Sequence, residues 1–275
     1  MKISNGGLER LLKLTKRSHY INGKEQPQVM SCILRSDSLK QKIHTYAIVR
    51  DGKSSVSKFS TGGSDAFGDE MVPIPDIDRV LGALKFHGPE VKLFVNDKSI
   101  KIKSGKKQTT IAGNTSGLAF PHGRQTLKEW ESNSVDRIKQ IGHKTYTTKG
   151  NKKIPSFFSI DIQAQDLYDA LRCDNMNGQR LNRYTFSLDK KGLHVRVGSE
   201  LKGMTDINIV SKNGSNTTFN ATFEGGLENV VKHYHDTVNL AFFDFSEYNQ
   251  GVKLSLYLPN DDLVFQSAVD SVVKN

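Results

Sequence analysis

At 275 residues the chain can hold one large or two ordinary domains and bury a substantial core. Its 39 Lys and Arg against 29 Asp and Glu leave a net charge of +10, which points to a polyanionic partner, nucleic acid ahead of an anionic membrane surface. Cys32 and Cys173 lie far apart and outside any CxxC pattern, which argues against a disulfide framework and a zinc site. No apolar run approaches the roughly 20 residues that span a bilayer. The opening MKISNGGLERLLKLTKRSH breaks its leucines with Arg and Lys before a secretory core can form, so the expected setting is intracellular.

The first element is an amphipathic helix. Leu8, Leu11, Leu12 and Thr15 share one face, and at about 100° per residue Arg10, Lys13, Lys16 and Arg17 fall on the other. PQVMSCILR and QKIHTYAIVR then read as strands. In PDIDRVLGALKFHG a second helix buries Ile77, Val80, Leu81 and Leu84, with Pro75 placed to begin it and Gly88-Pro89 to end it. EVKLFVN and SIKIKSG are strands joined by a short Asn-Asp-Lys turn.

The segment from His122 to Lys153 has no clear period and holds eight basic residues (Arg124, Lys128, Arg137, Lys139, Lys144, Lys149, Lys152, Lys153) against Glu129, Glu131 and Asp136. It reads as a basic interdomain connector, leaving domains at 1–121 and 154–275. A third helix, AQDLYDALR, carries the stripe Leu167, Ala170, Leu171, and RYTFSLD, GLHVRVG, TDINIVS and TTFNATF follow as strands. The fourth helix has Leu227, Val230, Val231 and Tyr234, followed by the strands VNLAFFDF, VKLSLYL and LVFQSAV. The alternation of apolar and polar residues implies antiparallel sheet with one wet face, so the fold class is α+β.

NGGLERLLK (5–13) has a near copy in EGGLENVVK (224–232). Aligning the four helices on Leu8, Ile77, Leu167 and Leu227 explains it, because each is followed by about three strands, making one helix-plus-strands unit written four times. Five residues on stand Lys13, Gly82, Arg172 and Lys232, about 140° from the core stripe, so three of the four units turn a basic side chain outward.

Two domains, each a duplicated helix-plus-antiparallel-strands unit, resemble the DNA sliding clamps, the family of proliferating cell nuclear antigen and its archaeal, phage and viral relatives. The resemblance rests on IPDIDRVLGALKFHGPEVKLFVNDKSIKIKSG in the first domain, on FSIDIQAQDLYDALR and YTFSLDKKGLHVRVGSELKGMTDINIV in the second, and on LVFQSAV as a last strand. It implies a homotrimeric ring with helices on the inner face, around double-stranded DNA, with sheets outside. It implies no catalysis, cofactor or metal; the clamp tethers a DNA polymerase and other clients through a short peptide motif, and an ATP-dependent clamp loader opens it. Carried onto matching positions, the DNA-facing set is Arg10, Lys13, Lys16, Arg17, Arg79, Lys85, Arg172 and Lys232, and Leu118, Phe120, Ala268 and Val269 line the client pocket. The basic balance departs from the usual acidic clamp and keeps open a non-ring processivity factor, a monomer or dimer.

Other patterns have plainer readings. His233 and His235 are about 200° apart on a helix and cannot share an ion. GNTSG (113–117) lacks the Lys-Ser/Thr of a phosphate loop. TGGSDAFGDE (61–70) reads as a loop, although a nuclease would place a metal on its Asp65, Asp69 and Glu70. Trp130, the only tryptophan, falls in the connector and docks on its own domain or stacks on a base or client.

Overall fold

The computed structural model describes residues 1–21, 24–49, 55–63, 70–113, 115, 117–120, 123–126, 146–149, 152–173, 183–199, 203–211 and 217–274. In chain order the first half runs β1 (Lys2–Ser4), α1 (Asn5–Thr15), β2 (Arg17–Ile21), β3 (Lys24–Val29), β4 (Cys32–Asp37), β5 (Lys42–Val49), β6 (Ser55–Gly62), β7 (Met71–Ile74), α2 (Ile77–Leu84), β8 (Glu90–Asn96), β9 (Ser99–Ser104) and β10 (Lys107–Ala112). Next come β11 (Gly117–Phe120), β12 (Gly123–Thr126) and β13 (Tyr146–Lys149). The second half runs β14 (Lys152–Gln163), α3 (Ala164–Arg172), β15 (Arg183–Asp189), β16 (Gly192–Ser199), β17 (Gly203–Ser211), β18 (Thr218–Glu224), α4 (Leu227–Val231), β19 (Thr237–Asp244), β20 (Val252–Leu258), β21 (Asp262–Ser267) and β22 (Asp270–Lys274). No helix among the described residues is long and apolar enough to cross a membrane.

Local chemistry sets the helix limits. Ser4 Oγ accepts from the Gly7 N–H at 3.1 Å to start α1, and the backbone turns extended at Lys16 to end it. Asp76 Oδ1 accepts from the Arg79 N–H at 2.9 Å to start α2. The strand expected through PQVMSCILR is broken between Val29 and Cys32, and the Met30 carbonyl accepts the first N–H of α2, from Ile77, at 2.8 Å. A helix donor that would otherwise lack a partner is thereby satisfied.

The two halves repeat one topology. β1 precedes α1 and pairs with β8, continuing to β9 and β10; β14 precedes α3 and pairs with β19, continuing to β20 and β21. Between the helices of each half, β6-β5-β4-β7 matches β17-β16-β15-β18, which β22 extends. All these pairs are antiparallel. The halves are joined by β21 against β6, with Leu263 opposite Lys58 and Gln266 opposite Ser55, so one sheet runs β13-β14-β19-β20-β21-β6-β5-β4-β7 across the seam.

The units are less equal than their sequences suggest. Six strands, including the β2–β3 hairpin, separate α1 from α2 where about three were expected. The chain ends on β22 rather than on LVFQSAV, which is β21. The two Gly-Gly-Leu-Glu copies also diverge: α1 starts at Asn5 and has 11 residues, whereas Glu224 still belongs to β18, Gly225 takes φ +110°, and α4 has only five. Their core registers nevertheless coincide, since Leu8, Leu11 and Leu12 are buried as Leu227, Val230 and Val231 are.

The main core lies between the helices and the sheets. It is largely aliphatic in the first half and aromatic in the second, where Phe242 meets Phe219 at 4.7 Å and Phe186 edge-on at 5.4 Å. A second cluster occupies the opposite face of the long sheet and crosses the seam, with Ile33, Tyr46 and Val56 from the first half and Ala241, Phe243, Leu263 and Phe265 from the second. Within the segment 122–153, β12 and β13 are strands, β14 begins at Lys152, and residues 127–145 lie outside the described residues.

Candidate nucleic-acid interface

The four helices form one contiguous layer in which α1 packs on both α2 and α4, and α3 packs on α4. Each buries its apolar stripe, so the opposite faces make a common surface. Six of the eight expected phosphate-facing residues stand on or beside it. Lys13, Arg79, Lys85, Arg172 and Lys232 are exposed, and Lys16 is half-buried at the end of α1.

Most of these cations already have a carboxylate at hand. Lys13 meets Glu9 at 2.6 Å, Lys16 meets Asp78 of α2 at 2.7 Å, Arg79 meets Asp76 at 3.3 Å, and Arg172 meets Asp169 at 3.2 Å. Lys232 donates to Asn229 Oδ1 at 3.3 Å. Exposed pairs of this kind contribute little to stability and are readily exchanged for another anion. Their carboxylates nonetheless leave the helical layer far less basic than the chain as a whole.

Arg17 departs from the expected set. Helical spacing stops at Thr15, so in β2 its side chain turns inward and is 3 % exposed. Nη1 donates to Ser55 Oγ at 2.6 Å, while Nε and Nη2 have no hydrogen-bond partner among the described residues. Burial lowers its pKa to about 10. A guanidinium held there cannot reach a phosphate on the helix surface.

Arg10 is also engaged inside the protein. It crosses the seam between the halves, donating through Nη1 to the Ser60 carbonyl at 2.9 Å and through Nη2 to Asp262 Oδ2 at 3.0 Å. Tyr234 donates to the same carboxylate oxygen at 2.6 Å, and the Ser60 N–H donates to Asp262 Oδ1 at 2.6 Å. The Asp262 side chain has no exposed surface, and burial raises its pKa despite these hydrogen bonds. Arg10 is therefore a seam residue. Its sequence neighbours gave no sign of this, because Asp262 is 252 positions away.

Of the expected client-pocket residues, Leu118 and Phe120 lie on β11, opposite Gln125 and Gly123 of β12, and their side chains lie outside the described residues. Ala268 and Val269 carry the chain from one sheet to the other: the Ala268 N–H donates to Val252 O and the Val269 N–H to Thr222 O. Ala268 packs against the main core rather than the outer cluster at the seam.

The plainer readings also find their places. His233 and His235 are exposed on either side of the buried Tyr234. Glu70 pairs with the N-terminal amine at 2.6 Å, while Asp65, Asp69, Asn114, Ser116 and Trp130 lie outside the described residues. Among the described residues there is no cluster of three or more metal-ligating side chains. Both cysteines are free thiols.

No protein-family model and no curated protein sequence matches the chain. Solved structures do. Proliferating cell nuclear antigen of A. fulgidus, solved with the C-terminal region of FEN-1 bound, is 13% identical at a TM-score of 0.50, with 97% of this chain and 96% of that chain covered. The beta subunit of the DNA polymerase of Streptococcus pyogenes is 14% identical at a TM-score of 0.63, and the C. crescentus beta sliding clamp is 13% identical at 0.61. In each of those two comparisons 98% of this chain is covered, and it spans 65% of the bacterial chain. At such identities the likeness is one of fold, and the chain has the sliding-clamp fold.

Proposed function

We propose that the protein is a DNA sliding clamp, a non-enzymatic processivity factor that closes as a homotrimeric ring around duplex DNA. One observation carries this reading. The two halves of one chain are joined by β21 on β6, and the topological counterparts of those strands, β10 and β17, are both edge strands of their own sheets among the described residues. Adding β10 of one copy to β17 of the next repeats the internal seam between chains. A head-to-tail contact of this kind builds a closed ring if its rotation closes. Three copies contribute six halves and twelve helices, with Lys13, Lys16, Arg79, Lys85, Arg172 and Lys232 turned to the phosphates.

In this reading domains 1–121 and 154–275 are the ring's repeating bodies, and 122–153 is the connector running outside. Polymerase and other clients bind by a short apolar peptide on the outer face, near the cluster that crosses the seam and the β11–β12 hairpin. An ATP-dependent loader opens the ring. The partly neutralised helix faces favour sliding over tight holding, since few net phosphate contacts mean weak, salt-sensitive binding.

The same neutralisation favours the second reading, a basic non-ring processivity factor. Topology separates the two. A ring loaded on nicked circular DNA stays with the circle through gel filtration in high salt and is released when the circle is cut. Retention that salt abolishes on the uncut circle, with a mass of one or two chains, establishes the non-ring reading.

A further inference from the structure

The sheet β1-β8-β9-β10 has two unlike faces. Ile3, Val91, Leu93, Ile100, Ile102 and Ile111 point to the main core and the helices. The register places Lys2, Lys92, Lys103 and Gln108 in one row across the other face, with Phe94, Lys101 and Thr110 in the next. Lys98 stands in the β8–β9 turn, and Lys106 and Lys107 at the β9–β10 turn. From Glu90 to Gln108 there are six lysines and two acids.

None of those six lysines makes an ion pair among the described residues; Glu90 is taken by Lys2 at 2.9 Å. Lys92 and Lys103 lie directly opposite each other, an arrangement of like charges that destabilises a sheet. In their midst Phe94 is 48% exposed, with Lys103 Nζ 5.2 Å from its ring centre. The two larger sheets treat their outward faces differently. The outward face of the matching sheet in the second half is apolar, carrying Ala241, Phe243 and Phe265 of the cluster at the seam. The β15–β18 sheet pairs its charges, Arg183 with Glu224 and Arg196 with Asp206.

We infer that this face is a second nucleic-acid site, a single-strand platform on the side of the sheet opposite the helices. The lysines hold the phosphates, and Phe94 offers a flat apolar surface on which a base stacks without regard to its identity. A polyanion laid along the rows removes the repulsion between Lys92 and Lys103. The site goes beyond the duplex-facing helices and shares no residue with them.

The test is fluorescence anisotropy with a labelled oligo(dT) of about sixteen nucleotides, a length within the range one such platform covers. Expected are binding by the wild type at low salt and at least about a tenfold loss in the Lys92→Glu, Lys101→Glu, Lys103→Glu protein, with the salt slope reduced by about two. Phe94→Ala alone should weaken oligo(dT) binding about tenfold and leave competition by polyglutamate unchanged. The Lys92→Glu, Lys101→Glu, Lys103→Glu protein should still be retained on nicked circular DNA as the wild type is, because none of these residues belongs to the helical layer, so failure here and failure of the ring reading are distinguishable. Thermal melts of each variant verify folding. The inference is overturned if the wild type does not bind oligo(dT), if the face variant binds it normally, or if Phe94→Ala is neutral while polyglutamate displaces the oligonucleotide, which marks a site for acidic protein segments.

Discussion

Arg10 and Asp262 meet at 3.0 Å across the seam between the two halves, and the same carboxylate also holds Tyr234 and the Ser60 N–H. The pair is asymmetric: the Arg10 side chain is 34% exposed and that of Asp262 is fully buried. Removing the arginine strands a buried carboxylate, so Arg10→Met is expected to cost about 2 kcal/mol, discounted from a fully buried pair because water reaches the guanidinium. Asp262→Asn should cost about as much. Urea unfolding of both and of the double variant should show a coupling of roughly 1 kcal/mol or more, since the residues share one network. Additive losses would mean that the contact does not hold the seam.

His44 lies beside this network, with Nδ1 2.8 Å from Ser60 Oγ and Nε2 4.0 Å from Asp37. Burial, then Lys58, lowers its pKa to about 4 from an ordinary 6.5. Above pH 6.5 the ring is neutral in both the folded and unfolded chains. As pH falls toward 4 only the unfolded chain takes up the proton, so stability declines by up to about 3 kcal/mol. Asp262, whose pKa is raised, works in the opposite sense as acid is added. Urea unfolding at pH 7 and pH 4 should therefore show a smaller acid loss for His44→Asn than for the wild type. Equal losses would remove His44 as the cause.

Periodicity exposed the helices, most strands and the four matched core registers, because each depends on neighbours within a few residues. The fates of Arg10 and Arg17 were not legible. Both look outward on a helical wheel, yet one answers to Asp262 far along the chain, and the other lies just beyond the point where Lys16 turns extended. The counter-charges Glu9, Asp76, Asp78 and Asp169 were visible, but whether they meet the cations depends on rotamers and on α1 packing against α2. The lysine face did have a sequence signal in the alternation of Lys with apolar residues through EVKLFVN and SIKIKSG. Only the register shows that Lys92, Lys101, Lys103 and Phe94 share one face.

Gly82 occupies the position held by Lys13, Arg172 and Lys232 in the other helices, and a Cβ placed there meets nothing within 4 Å. Gly82→Ala should stabilise the protein by about 0.5–1 kcal/mol, the usual cost of glycine inside a helix. Gly82→Lys should keep most of that gain and complete the basic set, steepening the salt dependence of duplex binding by about one unit per contact made. An unchanged slope would indicate that this helix position does not face DNA.

The ring reading stands on the edges of β10 and β17. Ile207 lies on β17 opposite Val195, half-buried against the main core. Ile207→Lys places a charge on the core-facing side of an edge strand, where it can reach water only while the edge stays free, a device that blocks strand addition. The wild type should scatter light as a particle of about 92 kDa, three times the 30.7 kDa chain. The variant should scatter as a single chain, with a thermal transition showing that it remains folded. Retention on nicked circular DNA should be lost in parallel, because a chain without its neighbour cannot encircle the duplex. If the variant keeps the mass of the wild type, the contact between copies lies elsewhere than on β17, and the internal seam is not its template.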